Sequence, residues 1–87
     1  MRVRLSTEEV SYLMRVKFLP KHLLELLRSA REVNRSALLL ELTDAQADEF
    51  RDAFGDRMQL VGFDVDYKPT AEGEVLESLV DRFLNSP

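Results

Sequence analysis

Residues 2 to 5 alternate Arg-Val-Arg-Leu, the period of a short strand that turns Val3 and Leu5 inward. Ser6 follows with Glu9 three residues on, the spacing of a capping box, and Leu5 and Val10 hold the two positions of a hydrophobic staple. A helix is therefore expected to start at Ser6. Val10, Leu13, Met14 and Lys17 fall along one face of it, and it should end or bend before Pro20, which disfavours helical geometry at Leu19. A second helix is expected from Pro20, with Leu23, Leu24, Leu26, Leu27 and Ala30 as its buried stripe and Arg28 and Arg31 near the negative end of its dipole. Glu32 to Ser36 then reads as a turn.

The apolar run within Ser36 to Leu42 is bounded by a fresh helix cap, and its length fits a strand over residues 37 to 42 better than a buried helix. Its obvious partner is the first strand. Two strands alone are marginal in water, so helices must cover one of their faces. Thr43 and Gln46 form a second capping box, with Leu42 and Ala47 as the staple. From there Ala47, Phe50, Phe54, Met58 and Val61 stay in helical phase past Gly55, although glycine inside a helix costs about 1 kcal/mol relative to alanine. One helix from Asp44 to about Val61 is expected, with Gly62 supplying a left-handed end and Phe63 closing the core beyond it. After a turn over Asp64 to Pro69, Thr70 can cap a last helix that buries Ala71, Val75, Leu76, Leu79, Val80 and Phe83. Gly73, in its first turn, either permits a close helix crossing or weakens the helix end.

The expected fold is α+β and mainly helical: about four helices and a small two-stranded β-sheet, in the order β-α-α-β-α-α. With 87 residues the chain has the length of a single small globular domain, 1–87, and no internal repeat or linker divides it. Cysteine is absent, which excludes disulfides, thiolate nucleophiles and Cys-based zinc sites. The opening Met1-Arg2-Val3-Arg4-Leu5 lacks the apolar run of a signal peptide, and the longest apolar run, Ala37 to Leu40, is too short to span a bilayer. A cytoplasmic protein is expected.

Charge changes this picture more than composition does. The formal net charge is −4, yet residues 1 to 40 carry eight Lys or Arg against four Glu, whereas residues 41 to 87 carry four Lys or Arg against twelve Asp or Glu. Such a split fits intramolecular pairing, head-to-tail self-association, or a face built for a charged partner.

The stretch Gly55-Asp56-Arg57-Met58-Gln59-Leu60-Val61-Gly62-Phe63-Asp64, followed by Tyr67, Pro69-Thr70, Glu72-Gly73, Leu76-Glu77 and Asp81, resembles a group of short bacterial proteins that carry no assigned activity. The likeness covers the second half of the chain. It implies a bacterial, cytoplasmic origin and carries over no functional residue.

Candidate chemistry is sparse. His22, the one histidine, has no Ser-His-Asp or metal-ligand spacing around it and reads as solvated or as part of a helix start. Asp64-Val65-Asp66 opens like a calcium loop, but Lys68 stands where a third ligand belongs, Pro69 replaces the glycine and Val75 replaces the closing glutamate. No metal or cofactor is expected, and no enzyme. Phe50 and Phe54 belong to a core face, and Tyr67 lies among negative charges that repel phosphate.

The most informative feature is Asp44, Asp48, Asp52 and Asp56, with Glu49 alongside, since four-residue spacing stacks carboxylates on one helix face. Arg51 reaches Asp48, whereas Asp52 and Asp56 have no cation three or four residues away. The expected function is a non-enzymatic protein-binding module of the immunity or antitoxin type, with Asp48, Glu49, Asp52 and Asp56 meeting a protein partner with a basic surface. Two alternatives stand beside it. One is a homodimeric adaptor joined through Tyr12, Phe18, Leu60 and Phe63. The other is nucleic-acid binding through Arg2, Arg4, Arg15, Lys17, Lys21, Arg28, Arg31 and Arg35.

Overall fold

The computed structural model describes residues 1–62, 65, 66 and 68–85. Its elements run β1 (Arg2–Ser6), α1 (Thr7–Val16), α2 (Lys21–Arg28), β2 (Arg31–Asn34), β3 (Ala37–Glu41), α3 (Asp44–Val61) and α4 (Ala71–Asn85). The class is α+β, as expected, but the sheet has three antiparallel strands in the order β1-β3-β2, not two, and the chain order becomes β-α-α-β-β-α-α. The extra strand is β2, which occupies most of the segment expected to be a turn. All four of its residues are exposed, so no alternation of buried and solvated positions marks it. It forms because β3 offers a second ladder, with Arg31 opposite Leu39, Glu32 opposite Leu38, and a bulge between Glu32 and Asn34.

β1 and β3 pair Val3 with Leu40 and Leu5 with Leu38, while Arg4 faces Leu39 and Arg2 faces Glu41. Directly opposed residues share a sheet face. Val3, Leu5 and Leu40 are buried in one cluster with Leu13, Leu23, Leu27, Phe50, Phe54, Leu76, Leu79 and Phe83, so the helices cover that side. The other side presents Arg2, Arg4, Arg31, Leu39 and Glu41, of which only Leu39 is partly covered.

Both capping boxes form. Ser6 Oγ accepts from the Glu9 amide at 3.0 Å while Glu9 Oε1 accepts from the Ser6 amide at 2.8 Å, and Thr43 and Gln46 repeat the exchange at 3.1 and 2.9 Å. α1 ends before Pro20, as expected, but Lys17 does not belong to its apolar face. Lys17 is exposed, off the buried face, and it is the residue that takes the left-handed conformation, with φ 57°. Gly62 instead closes α3 in right-handed geometry at φ −73°. Phe63, Asp64 and Tyr67, including the expected core closure by Phe63 and the first position of the calcium-like loop, lie outside the described residues.

The joint between α3 and α4 decides what Gly73 does. The Thr70 amide donates to the Gly62 carbonyl at 2.8 Å, and the Thr70 hydroxyl donates to the Val61 carbonyl at 2.6 Å while accepting from the Gly73 amide at 3.0 Å. One side chain thus ends α3 and starts α4. The two backbones come so close that a Cβ on Gly73 would lie 2.3 Å from the Gly62 carbonyl oxygen and 2.8 Å from its Cα. Gly73 is there for a close crossing. Beyond the joint, Phe50, Phe54 and Phe83 are fully buried, with ring centroids 5.0 Å apart for Phe50 and Phe83 and 5.1 Å for Phe54 and Phe83.

The two glycines in these helices should respond oppositely to alanine. A Cβ on Gly55 meets nothing within 4 Å, so Gly55→Ala is expected to stabilise the fold. The gain should be about 0.5–1 kcal/mol from helix propensity alone. Gly73→Ala must displace backbone and should cost about 1–3 kcal/mol. Urea unfolding of both variants checks this, and equal midpoints for Gly73→Ala and the parent chain would contradict the close crossing.

Candidate partner-binding surface

A helix turns by about 100° per residue, so the burial of Ala47, Phe50 and Phe54 dictates what α3 turns away from the core. Asp52 and Asp56 fall opposite that side. Both are exposed, and neither has a cation partner among the described residues. Asp44, in the first turn, is exposed at the positive end of the helix dipole. Asp48 is bonded to Arg51 one turn on.

Glu49 is placed differently from what its neighbours imply. Its Oε2 lies 2.5 Å from His22 Nε2, linking α2 to α3 with side chains 62% and 51% exposed. The histidine is exposed, as read from the sequence, but it has a partner that no spacing in the chain announced. Two of the four expected contact residues, Asp48 and Glu49, therefore hold internal partners, and among the described residues Asp52 and Asp56 have none.

The basic residues do not gather on one face. Arg2, Arg4 and Arg31 lie on the open side of the sheet, with Arg35 on the turn between β2 and β3. Arg15 and Lys17 belong to the end of α1, and Lys21 and Arg28 to α2, in the helical layer. Among the described residues, only Arg2 of these eight makes an ion pair, at 3.4 Å to Glu41 across the ladder.

A polar cluster unseen in the sequence lies where α1, α3 and α4 meet. Tyr12 Oη donates to Glu72 Oε2 at 2.5 Å, Arg57 Nε donates to the same oxygen at 3.0 Å, and the Arg57 guanidinium stands 5.7 Å from the centroid of the Phe18 ring. Accepting the Tyr12 hydroxyl, with Arg57 beside it, holds the Glu72 carboxyl below its ordinary range. Burial, reinforced by that carboxylate, pushes the Tyr12 hydroxyl upward. The sequence separations, 60 residues between Tyr12 and Glu72 and 15 between Arg57 and Glu72, explain why no local pattern revealed it.

A second long-range pair guards the edge of β1. Alternation along an antiparallel ladder turns the backbone groups of Arg2, Arg4 and Ser6 outward. The Ser6 amide is taken by Glu9, and Arg82, bonded to Glu9, donates to the Arg4 carbonyl at 3.3 Å. The edge that another strand could join is thus partly occupied.

Among the described residues, no group of three His, Cys, Asp or Glu is placed to hold a metal ion, and no buried polar side-chain atom lacks a hydrogen-bond partner. No helix there is long and apolar enough to cross a membrane. Comparison with protein-family models, curated proteins and solved structures finds no match.

The Tyr12, Glu72 and Arg57 cluster makes stability depend on pH in a defined direction. Because the Glu72 pKa is depressed on folding, its contribution is fully present above the ordinary glutamate value of about 4.3 and is lost as pH falls through its lower folded value. Tyr12→Phe should cost about 1–2 kcal/mol at neutral pH by removing one bond to a charged acceptor. Glu72→Gln should be destabilised at neutral pH, with the gap to the parent chain shrinking at about pH 3. Urea titrations at the two pH values test this, and a gap of equal size at both would contradict it.

Proposed function

We propose that this chain is a non-enzymatic, cytoplasmic protein-binding module of the immunity or antitoxin type, which presents the outer face of α3 to a basic surface on a partner protein. Its support is one observation: Asp52 and Asp56 stand exposed, with no ion-pair partner among the described residues, on the longest helix, whose opposite side is locked into the core by Phe50 and Phe54. Like charges four residues apart on a helix cost about 0.2–0.5 kcal/mol per pair. A surface that carries such a cost without internal compensation is suited to complementary charge elsewhere, where the same carboxylates steer encounter and fix register. Asp48 and Glu49 flank them and can exchange Arg51 and His22 for cations of the partner. The rigid helix presents these groups with little ordering cost on binding.

The dimer alternative loses part of its basis, because Tyr12 and Phe18 pack against the core and against each other, with ring centroids 6.3 Å apart. Of its four residues, Leu60 is 78% exposed and Phe63 lies outside the described residues. Nucleic-acid binding draws less support, since its eight cations are divided between the sheet face and the helical layer.

The test is a pair of neutralising substitutions. Asp52→Asn with Asp56→Asn should weaken capture of a protein from the native host by about tenfold or more, which corresponds to about 1.4 kcal/mol. The same double variant should be more stable by a few tenths of a kcal/mol, because like-charge repulsion along α3 is relieved. Loss of binding together with a gain in stability is the signature of a contact surface. Unchanged retention of every captured protein would remove the basis for the proposal.

A further inference from the structure

The open face of the sheet is charged in the opposite sense to α3. Arg4 and Arg31 stand directly opposite Leu39 from either side, so one row across three strands reads arginine, leucine, arginine. Strands lie about 4.8 Å apart, which places the two arginine Cα atoms roughly 10 Å from each other. Neither guanidinium has an ion-pair partner among the described residues. Arg2 is two residues along β1 on the same face, and an open groove of about 670 Å³ runs beside it, bordered by Arg2, Arg4, Ser36, Leu39 and Arg82. Every cation here is arginine, whose planar fork pairs with carboxylates in a bidentate manner and is less strongly hydrated than lysine.

We propose that this sheet face receives the acidic face of α3 from a second copy of the chain, so that copies associate head to tail through arginine and aspartate pairs. Three observations choose this occupant. Asp52 and Asp56 are about 6 Å apart along the helix axis, close to the roughly 6.8 Å between alternate residues of a strand. They can therefore meet Arg2 and Arg4 of β1 in register, with Arg2 exchanging Glu41 for an aspartate and Arg31 lying beside the pair, and the exposed Leu60, one further turn along α3, can extend the contact with apolar surface. The helices cover the opposite side of the sheet, so the two faces of one molecule cannot satisfy each other, whereas those of two molecules can. A nucleic acid fits less well: among the described residues this face carries no aromatic side chain on which bases stack, and the chain as a whole is negative, at −4.

The contact joins two different patches, so it is heterologous, and an assembly whose rotation does not close into a ring keeps a free patch at each end. Association should grow continuously with concentration. It shares the acidic face with the proposed partner contact, so a basic partner would compete with it.

Sedimentation of the full chain from about 10 μM to about 1 mM tests this. The average mass should rise with concentration at about 0.05 M salt, and association should weaken about tenfold or more at about 0.5 M, where screening shortens the reach of exposed charges. Arg4→Glu with Arg31→Glu, and separately Asp52→Lys with Asp56→Lys, should each sediment as monomers with the parent's circular dichroism. Mixed in equal amounts, the two variants should associate again, because each then carries the charge the other has lost. A parent chain monomeric throughout, or a mixture that stays monomeric, overturns the proposal. So does a short fluorescent oligonucleotide bound by a monomeric parent chain and released by Arg4→Glu with Arg31→Glu, which would assign the face to phosphate. Loss of a captured partner on Asp52→Asn with Asp56→Asn beside a monomeric parent would sink self-association alone and leave the partner contact standing.

Discussion

The contact on which the rest depends is the packing of Phe50 and Phe54 of α3 against Phe83 of α4. All three rings are fully buried, and their edge and tilted contacts tie two helices that are neighbours in sequence into one unit. An aromatic side chain of this size dominates the burial available to a domain of 87 residues. Fixing the rings fixes the rotation of α3 about its own axis. Once Phe50 and Phe54 face inward, Asp52 and Asp56 have no direction left but outward, so the same packing that holds the fold also aims its charge.

The joint at Thr70 serves that packing. Its hydroxyl satisfies one carbonyl at the end of α3 and one amide at the start of α4, the groups that a helix end otherwise leaves without partners. Gly73 lets the two backbones approach within contact distance, which brings Leu76, Leu79 and Phe83 over Phe50 and Phe54. Around this unit, Phe18 extends the aromatic cluster, with its ring centroid 6.3 Å from that of Phe54, and Arg57 and Glu72 close it off from solvent. Tyr12 then fastens α1 to the same carboxylate.

What could be read along the chain was what is decided locally. Ser6 with Glu9 and Thr43 with Gln46 announce their helices because both partners of each cap lie within one turn. The stripe Ala47, Phe50 and Phe54 carries α3 through Gly55 because periodicity outweighs one unfavourable residue. β2 escaped notice for the complementary reason: Arg31-Glu32-Val33-Asn34 buries nothing, and its strand character is supplied by β3. Gly62 was given the conformation that glycine most often takes at a helix end, while Lys17 adopted it, and Gly73 had a reason that only the position of Gly62 reveals. For the acidic face, spacing located Asp52 and Asp56 but was silent on His22 reaching Glu49 from 27 residues away.

Whether the two oppositely charged halves cancel within one molecule was open from sequence alone, and the fold answers it for the described residues. Of the eight cations in residues 1–40, Arg2 alone makes an ion pair, and its acceptor is Glu41 at the boundary between the halves. The acidic half pairs with its own arginines, Arg51 with Asp48 and Arg57 with Glu72, and it sends Arg82 back to Glu9. Folding therefore consumes few of the opposing charges and leaves, in separate places, Arg4 and Arg31 on the sheet and Asp52 and Asp56 on α3 without ion pairs among the described residues. Exposed pairs contribute little to stability, so a fold held by its aromatic core has no need to bring these groups together. Kept apart, they maintain two fields of opposite sign on one small surface.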